Sequence, residues 1–212
     1  MRELMAADSP LHRLLSRMAD LMILNLLFVV ASLPVVTLGA SLTALHATAL
    51  RMVDGSPESV PDLFLRSFRA NLRQATLLLG IAAGAVAVLA AWVIVAVNLQ
   101  VRGVWVVLAL AVVVMIGLRV LATLLFLFPY QATFEGGVRE VVGNARRMSA
   151  RHPLASLAMA AVLALPVAVT ITNPVLAGYG LLWLLFGFAA IACLHALLLR
   201  GVFARYIPRD PA

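Results

Sequence analysis

Arg119 is the residue whose type and position most invite chemistry. It lies past the centre of an apolar run, 104–128. A charged side chain there costs at least ~2.5–3.5 kcal/mol on the insertion scale. Two readings are open. Arg119 forms a polar intramembrane site for an anionic or hydroxylated ligand, or its guanidinium snorkels toward the headgroups. No carboxylate is placed at mid-depth to pair with it. Asp20 stands near the start of the first apolar run, where an acidic group in a first turn complements the helix dipole; Asn25 follows five residues on. His12, His46, His152 and His195 show no metal-ligand spacing, and the lone Cys193 forms no motif with them. No nucleophile elbow, zinc-protease helix, paired-carboxylate motif or phosphate loop occurs. The sequence therefore predicts no enzyme, no metal and no cofactor. Gly80 and Gly84 form a Gly-x-x-x-Gly pair in an apolar stretch, an element of close helix packing within a chain or between copies.

Composition says what solvent these residues meet. The 212 residues are 64% hydrophobic and 12% charged, with a mean hydropathy of +1.05. A soluble domain has roughly 25% charged residues, and a small one leaves much of its surface in water. The lipid bilayer is thus the expected solvent. The net charge is +7 and all sixteen basic residues are arginine. They sit beside long apolar runs, so anionic lipid headgroups rather than nucleic acid are the expected partners.

A spanning helix takes roughly 20 apolar residues. Hydropathy marks five regions, and the first, 14–52, is too long for one span. Pro34 divides it, because proline removes a backbone donor and clashes with the preceding turn. The predicted spans are then 14–33, 36–52, 74–97, 104–128, 154–171 and 178–199, in one transmembrane domain covering 1–212. The piece 36–52 is short and carries Thr37, Gly39, Ser41, Thr43 and His46; it is either a span or a re-entrant helix. Arginine placement supports the even count. Fourteen of the sixteen fall on one side if the chain crosses twice, or folds back once, before Arg51. Both termini are then cytoplasmic, and the first helix reads as an uncleaved span rather than a signal peptide.

Two connections on the Arg-rich side read as amphipathic helices. Ser59-Val60-Pro61-Asp62 fits a capping box, and Val60, Phe64, Phe68 and Leu72 form an apolar stripe with Arg66, Arg69 and Arg73 off it. In the second, Phe134, Val138, Val141, Ala145 and Met148 share a face, with Arg139, Arg146, Arg147 and Arg151 elsewhere. Each helix either lies in the headgroup plane or caps the bundle. The fold class expected is all-α: a polytopic membrane bundle of six helices with two cytoplasmic amphipathic helices. Each unit of a coarse repeat is a hairpin followed by a basic segment: Leu14–Arg73, Gln74–Arg151 and Leu154–Arg209.

Several stretches resemble the YesL family of bacterial membrane proteins. The first is Asn25-Leu26-Leu27-Phe28 leading into Leu33-Pro34-Val35-Val36-Thr37-Leu38-Gly39-Ala40-Ser41-Leu42-Thr43. The second is Phe64-Leu65-Arg66-Ser67-Phe68-Arg69-Ala70-Asn71-Leu72-Arg73-Gln74-Ala75, similar to the family's pattern with Arg in place of Lys. Phe128-Pro129, Arg151-His152-Pro153 and Leu184-Leu185-Phe186-Gly187-Phe188 follow in order, while Tyr130-Gln131-Ala132-Thr133-Phe134 departs from the family's pattern. The resemblance implies a protein of the cytoplasmic membrane associated with carbohydrate uptake, and with sugar-transporter subunits as partners. It marks Pro34, Thr37, Gly39, Ser41 and Thr43 as a motif segment. Arg66, Arg69, Arg73, Arg146, Arg147 and Arg151 are expected to dock a partner or touch lipid. The alternative is a permease subunit itself, since Glu135 through Gly143 to Pro153 faintly resembles the Glu-Ala-Ala loop of ABC permeases.

Overall fold

A computed structural model describes residues 10–98, 104–172 and 180–206. These residues form helices and no strand. The helices are α1 (Pro10–Ser32), α2 (Leu38–Val53), α3 (Val60–Asn98), α4 (Val104–Thr133), α5 (Val138–Arg151), α6 (Pro153–Thr172) and α7 (Gly180–Phe203). Among the described residues, all but α5 are long and apolar enough to cross a membrane, the short α2 together with the turn before it. The all-α membrane bundle of six such helices is therefore what the chain forms. The predicted loops at 98–103 and 172–177 lie almost wholly outside the described residues, as do Arg2, Arg102 and Arg209.

The breaks follow local chemistry. Pro34 ends α1, and a single 3-10 turn (Val35–Thr37) leads into α2. Thr37 closes the turn, its hydroxyl lying 2.6 Å from Ala31 O and 2.7 Å from Pro34 O. At α3, Asp62 N–H donates to Ser59 Oγ at 3.4 Å, the first half of the capping box, while the Asp62 carboxylate accepts from the Ser59 hydroxyl rather than from its backbone N–H. Gly137 N–H donates to Glu140 Oε2 at 2.9 Å to start α5, and Pro153 opens α6 after His152 leaves helical geometry.

Two boundaries differ from the sequence reading. Helix α1 begins at Pro10, so Asp20 stands in its third turn and not its first. The amphipathic segment at 60–73 is not a separate connection. It runs without a break into the span that follows, because Arg73-Gln74-Ala75 holds three good helix formers and no cap. Its inward stripe then turns along the helix, from Val60, Leu63 and Phe64 to Ala75, Leu78 and Ala82. Phe68 is half-buried and Leu72 exposed. The second amphipathic segment is a helix of its own, with Val141, Ala145 and Met148 against the core as the sequence pattern predicts.

Helix α2 lies at the centre. Nine of its sixteen residues are buried, among α1, α3, α4 and α7. Small residues permit this. A Cβ on Gly39 would overlap the Ala75 carbonyl oxygen of α3, so the two backbones touch. Ala44 and Ala49 join Ala189, Ala192 and Ala196 of α7 in one core cluster with Leu24, Phe28 and Phe64. Thr76 Oγ1 lies 3.2 Å from Val36 O, so α3 passes the start of α2 there and runs on for 77–98, about 33 Å at ~1.5 Å per residue. That stretch forms a hairpin with α4.

Candidate functional site

Two polar regions are built on this frame. The first is inside, along the motif segment. Ser41 Oγ donates to Thr37 O at 3.0 Å and Thr43 Oγ1 to Gly39 O at 3.0 Å, which satisfies both hydroxyls within the helix. Thr43 Oγ1 also lies 3.1 Å from Gln131 Oε1, and Gln131 Nε2 is buried without a partner among the described residues. One hydroxyl proton serves one acceptor. With Thr43 donating to Gly39, the Gln131 amide turned over would donate to Thr43 and satisfy its own nitrogen. Gln131 falls in the stretch that departs from the resembled pattern, as does Tyr130, whose hydroxyl accepts from Asn144 Nδ2 at 2.8 Å.

Asn25 carries the second interior arrangement. Helix α7 contains a π turn (Trp183–Gly187), which inserts a residue and leaves backbone groups without α-helical partners. Asn25 Nδ2 donates to Trp183 O at 3.0 Å and Leu184 O at 2.6 Å, and its Oδ1 accepts from Ala189 N–H at 2.9 Å. A Cβ on Gly187 would overlap the Trp183 ring. Two of the sequence landmarks, Asn25-Leu26-Leu27-Phe28 and Leu184-Leu185-Phe186-Gly187-Phe188, therefore meet in space, and one side chain joins them. Phe28 and Phe188 add a ring contact at 5.1 Å.

His46 and His195 come together in the same interior. Their rings stack in parallel with centroids 6.0 Å apart, and His195 Nε2 lies 3.0 Å from Met159 O. Stacked faces do not aim two nitrogens at a common point, so the pair is arranged for packing rather than ligation.

The Arg-rich end holds an arrangement open to something from outside. A cavity of about 590 Å³ opens between the ends of α2, α3, α4 and α7, lined by Arg51, Asp54, Arg66, Ser67, Thr133 and Arg200 among others. Arg200 Nε lies 3.1 Å from Asp54 Oδ1, and Arg66 pairs with Glu58. Both pairs are well exposed, and such pairs contribute roughly 0–1 kcal/mol each. An incoming carboxylate or phosphate could exchange with their carboxylates at small cost. Arg51 forms no ion pair among the described residues. Three guanidiniums from three helices thus face one concavity, which suits planar recognition of an anion. Sequence reasoning had singled out Arg66 but not Arg51, Asp54 or Arg200. Arg51 and Asp54 lie together at the end of α2, 146 or more residues before Arg200 at the end of α7, and only the fold reveals their convergence.

The other candidate residues are dispersed. Arg69 and Arg73 are exposed along α3; Arg147 and Arg151 are exposed on α5. Pro34 is exposed at its turn, while Gly39, Ser41 and Thr43 are buried. Arg119 is exposed on α4, outside the buried core, in a groove it shares with Arg146.

The fold and the placement of polar groups define a multi-pass membrane helix bundle with a polar interior helix and a basic end. Residues 21–99, which comprise most of α1, all of α2 and α3, match a family described only as Protein of unknown function, DUF624. No curated protein and no solved structure matches the chain.

Proposed function

We propose that the protein is a non-enzymatic accessory component of a carbohydrate uptake system, of the YesL type, in a bacterial cytoplasmic membrane with both termini in the cytoplasm. The observation that carries this reading is the concavity of Arg51, Arg66 and Arg200 at the Arg-rich end. It is wide enough for an acidic segment of a partner subunit, and two of its arginines, Arg66 and Arg200, are held by exposed pairs that a partner's carboxylates can displace. The match over 21–99 and the landmark motifs support the family likeness, which in turn points to sugar-transporter subunits as partners.

The test is photo-crosslinking in the native membrane from position Ala70, an exposed residue lining the concavity, followed by mass spectrometry. Sugar-transporter subunits should be recovered, and Arg51→Glu with Arg200→Glu should abolish their recovery. Recovery of no such subunit from membranes that contain the full-length protein would sink the proposal. ATP-dependent sugar uptake that is lost altogether on deletion would favour the permease reading over an accessory one.

A further inference from the structure

Arg119 and Arg146 come from different helices, α4 and α5, and line one groove of about 410 Å³ on the outer surface of the bundle. The rest of its wall is almost wholly apolar, with Ile81, Ala85, Met115, Ile116, Val120 and Leu124. No carboxylate lines it, and neither guanidinium forms an ion pair among the described residues. The carboxylate of α5 within the helix's first turn, Glu140, is engaged at the Gly137 amide. Thr123, also in the wall, turns its hydroxyl back to Arg119 O at 2.8 Å and neutralises nothing. Two cations are therefore brought to the end of one apolar trough, neither of them in an ion pair among the described residues.

The trough does not stop there. Ala85, Ile116 and Val120 also line a second groove, of about 760 Å³, which continues between α3 and α4 to Trp92 and Trp105. A ligand suited to both parts has an anionic head and a long apolar tail. The geometry points to a binding site for one anionic phospholipid, its phosphate held between Arg119 and Arg146 and an acyl chain laid along the α3–α4 trough. Basic pockets between membrane helices hold such headgroups. Arginine suits the task because its planar fork meets two phosphate oxygens at once. A zwitterionic lipid fits less well, because its own cation would stand near two guanidiniums. Inorganic phosphate would satisfy the arginines and leave the trough unused. This site is separate from the concavity of Arg51, Arg66 and Arg200 and does not depend on the docking reading.

Native mass spectrometry of the full-length protein, released from nanodiscs of phosphatidylglycerol or of phosphatidylcholine, tests the site. One phosphatidylglycerol per chain should stay bound under activation that strips phosphatidylcholine. Arg119→Gln with Arg146→Gln should weaken retention about tenfold, as loss of two charge-assisted contacts implies. Ile116→Trp, which fills the trough and keeps both arginines, should lower retention as well, and it preserves the test if the double variant fails to fold. Arg13→Gln removes one exposed charge elsewhere and should change nothing. Millimolar inorganic phosphate should not displace the lipid. Equal retention by wild type and the double variant would overturn the site. Displacement by phosphate, or undiminished retention in Ile116→Trp, would overturn the seating of an acyl chain.

Discussion

Helix α2 and the α3–α4 hairpin invert the relation between hydropathy and burial that holds in water. The α2 span has the lowest mean hydropathy of the six, 1.2, and half of its most apolar window is buried. The α4 span has the highest, 2.7, and none of its corresponding window is buried. In a bilayer the apolar residues need no protein partner, because lipid chains are as apolar as leucine. What must be hidden from lipid is the polar group, and each must find a hydrogen bond inside. Ser41 and Thr43, their hydroxyls bonded to Thr37 O and Gly39 O, are therefore packed at the centre, while Val107, Val114, Met115 and Leu118 face outward. Polarity marks the core of this molecule, and close packing there depends on small residues rather than large ones.

The strongest way to break this comparison is to place the same change in each region. Gly39→Val puts methyl groups into the Ala75 backbone, which cannot move aside without separating α2 from α3. We expect a loss of roughly 3 kcal/mol or more, enough to remove most folded protein. Gly84→Val on the hairpin meets nothing within 4 Å and should leave the melting temperature in detergent nearly unchanged. Equal melting shifts for the two glycines would show that the hairpin is as tightly packed as the centre.

Asn25 offers the next contrast. Asn25→Leu strands Trp183 O, Leu184 O and the Ala189 amide of α7 together. The expected cost is about 2–4 kcal/mol, since each buried group left unpaired costs ~1–3 kcal/mol and α7 can partly relax by losing its π turn. Hydrogen exchange at the Ala189 amide should rise well before global unfolding. Asn98→Leu, at the end of α3, removes among the described residues only a bond to Ile94 O four residues back and should cost close to nothing. An Ala189 amide as protected as in wild type would show that Asn25 is not what holds the turn.

The pattern of spans was legible because it rests on local chemistry. Pro34 and the arginine distribution divide a 39-residue apolar region correctly, and the capping pattern at Ser59 and the α5 stripe appear where the residues place them. The continuity of α3 was less legible. A change of character from basic-amphipathic to fully apolar looks like a boundary, yet no residue at 73–75 can end a helix. The interior was hardest to read. Asn25 and Gly187 each look ordinary alone, and their meaning is a contact between α1 and the π turn of α7, which no sequence period signals. Arg119 was conspicuous by its cost, but its companion Arg146 lies on a helix that reaches it only through the fold.

The Thr43–Gln131 pair sharpens the comparison at a finer scale. Thr43→Val leaves the buried Gln131 amide without its partner, and Gln131→Leu leaves Thr43 still bonded to Gly39 O. The first should cost about 1–2 kcal/mol and the second less. The double variant should be less damaging than the sum by about 0.5–1 kcal/mol, because both ends of one contact are then apolar. Additive costs in equilibrium unfolding would mean that the two side chains act independently.

The smallest effect is expected on the hairpin itself. Leu108→Ala removes a side chain that is half exposed and lines the α3–α4 trough. In water-soluble cores the same truncation costs ~2–5 kcal/mol, largely through the cavity it leaves. Here lipid fills the space, so we expect a change within about 0.5 kcal/mol in nanodiscs. The comparison with Leu24→Ala, fully buried between α1 and its neighbours, separates the two environments on one residue type. Leu24→Ala should fall in the range of core truncations because protein and not lipid surrounds it. A cost for Leu108→Ala as large as that for Leu24→Ala would mean that the hairpin is packed against protein in the membrane, and its apolar face would then be an interface rather than a lipid boundary.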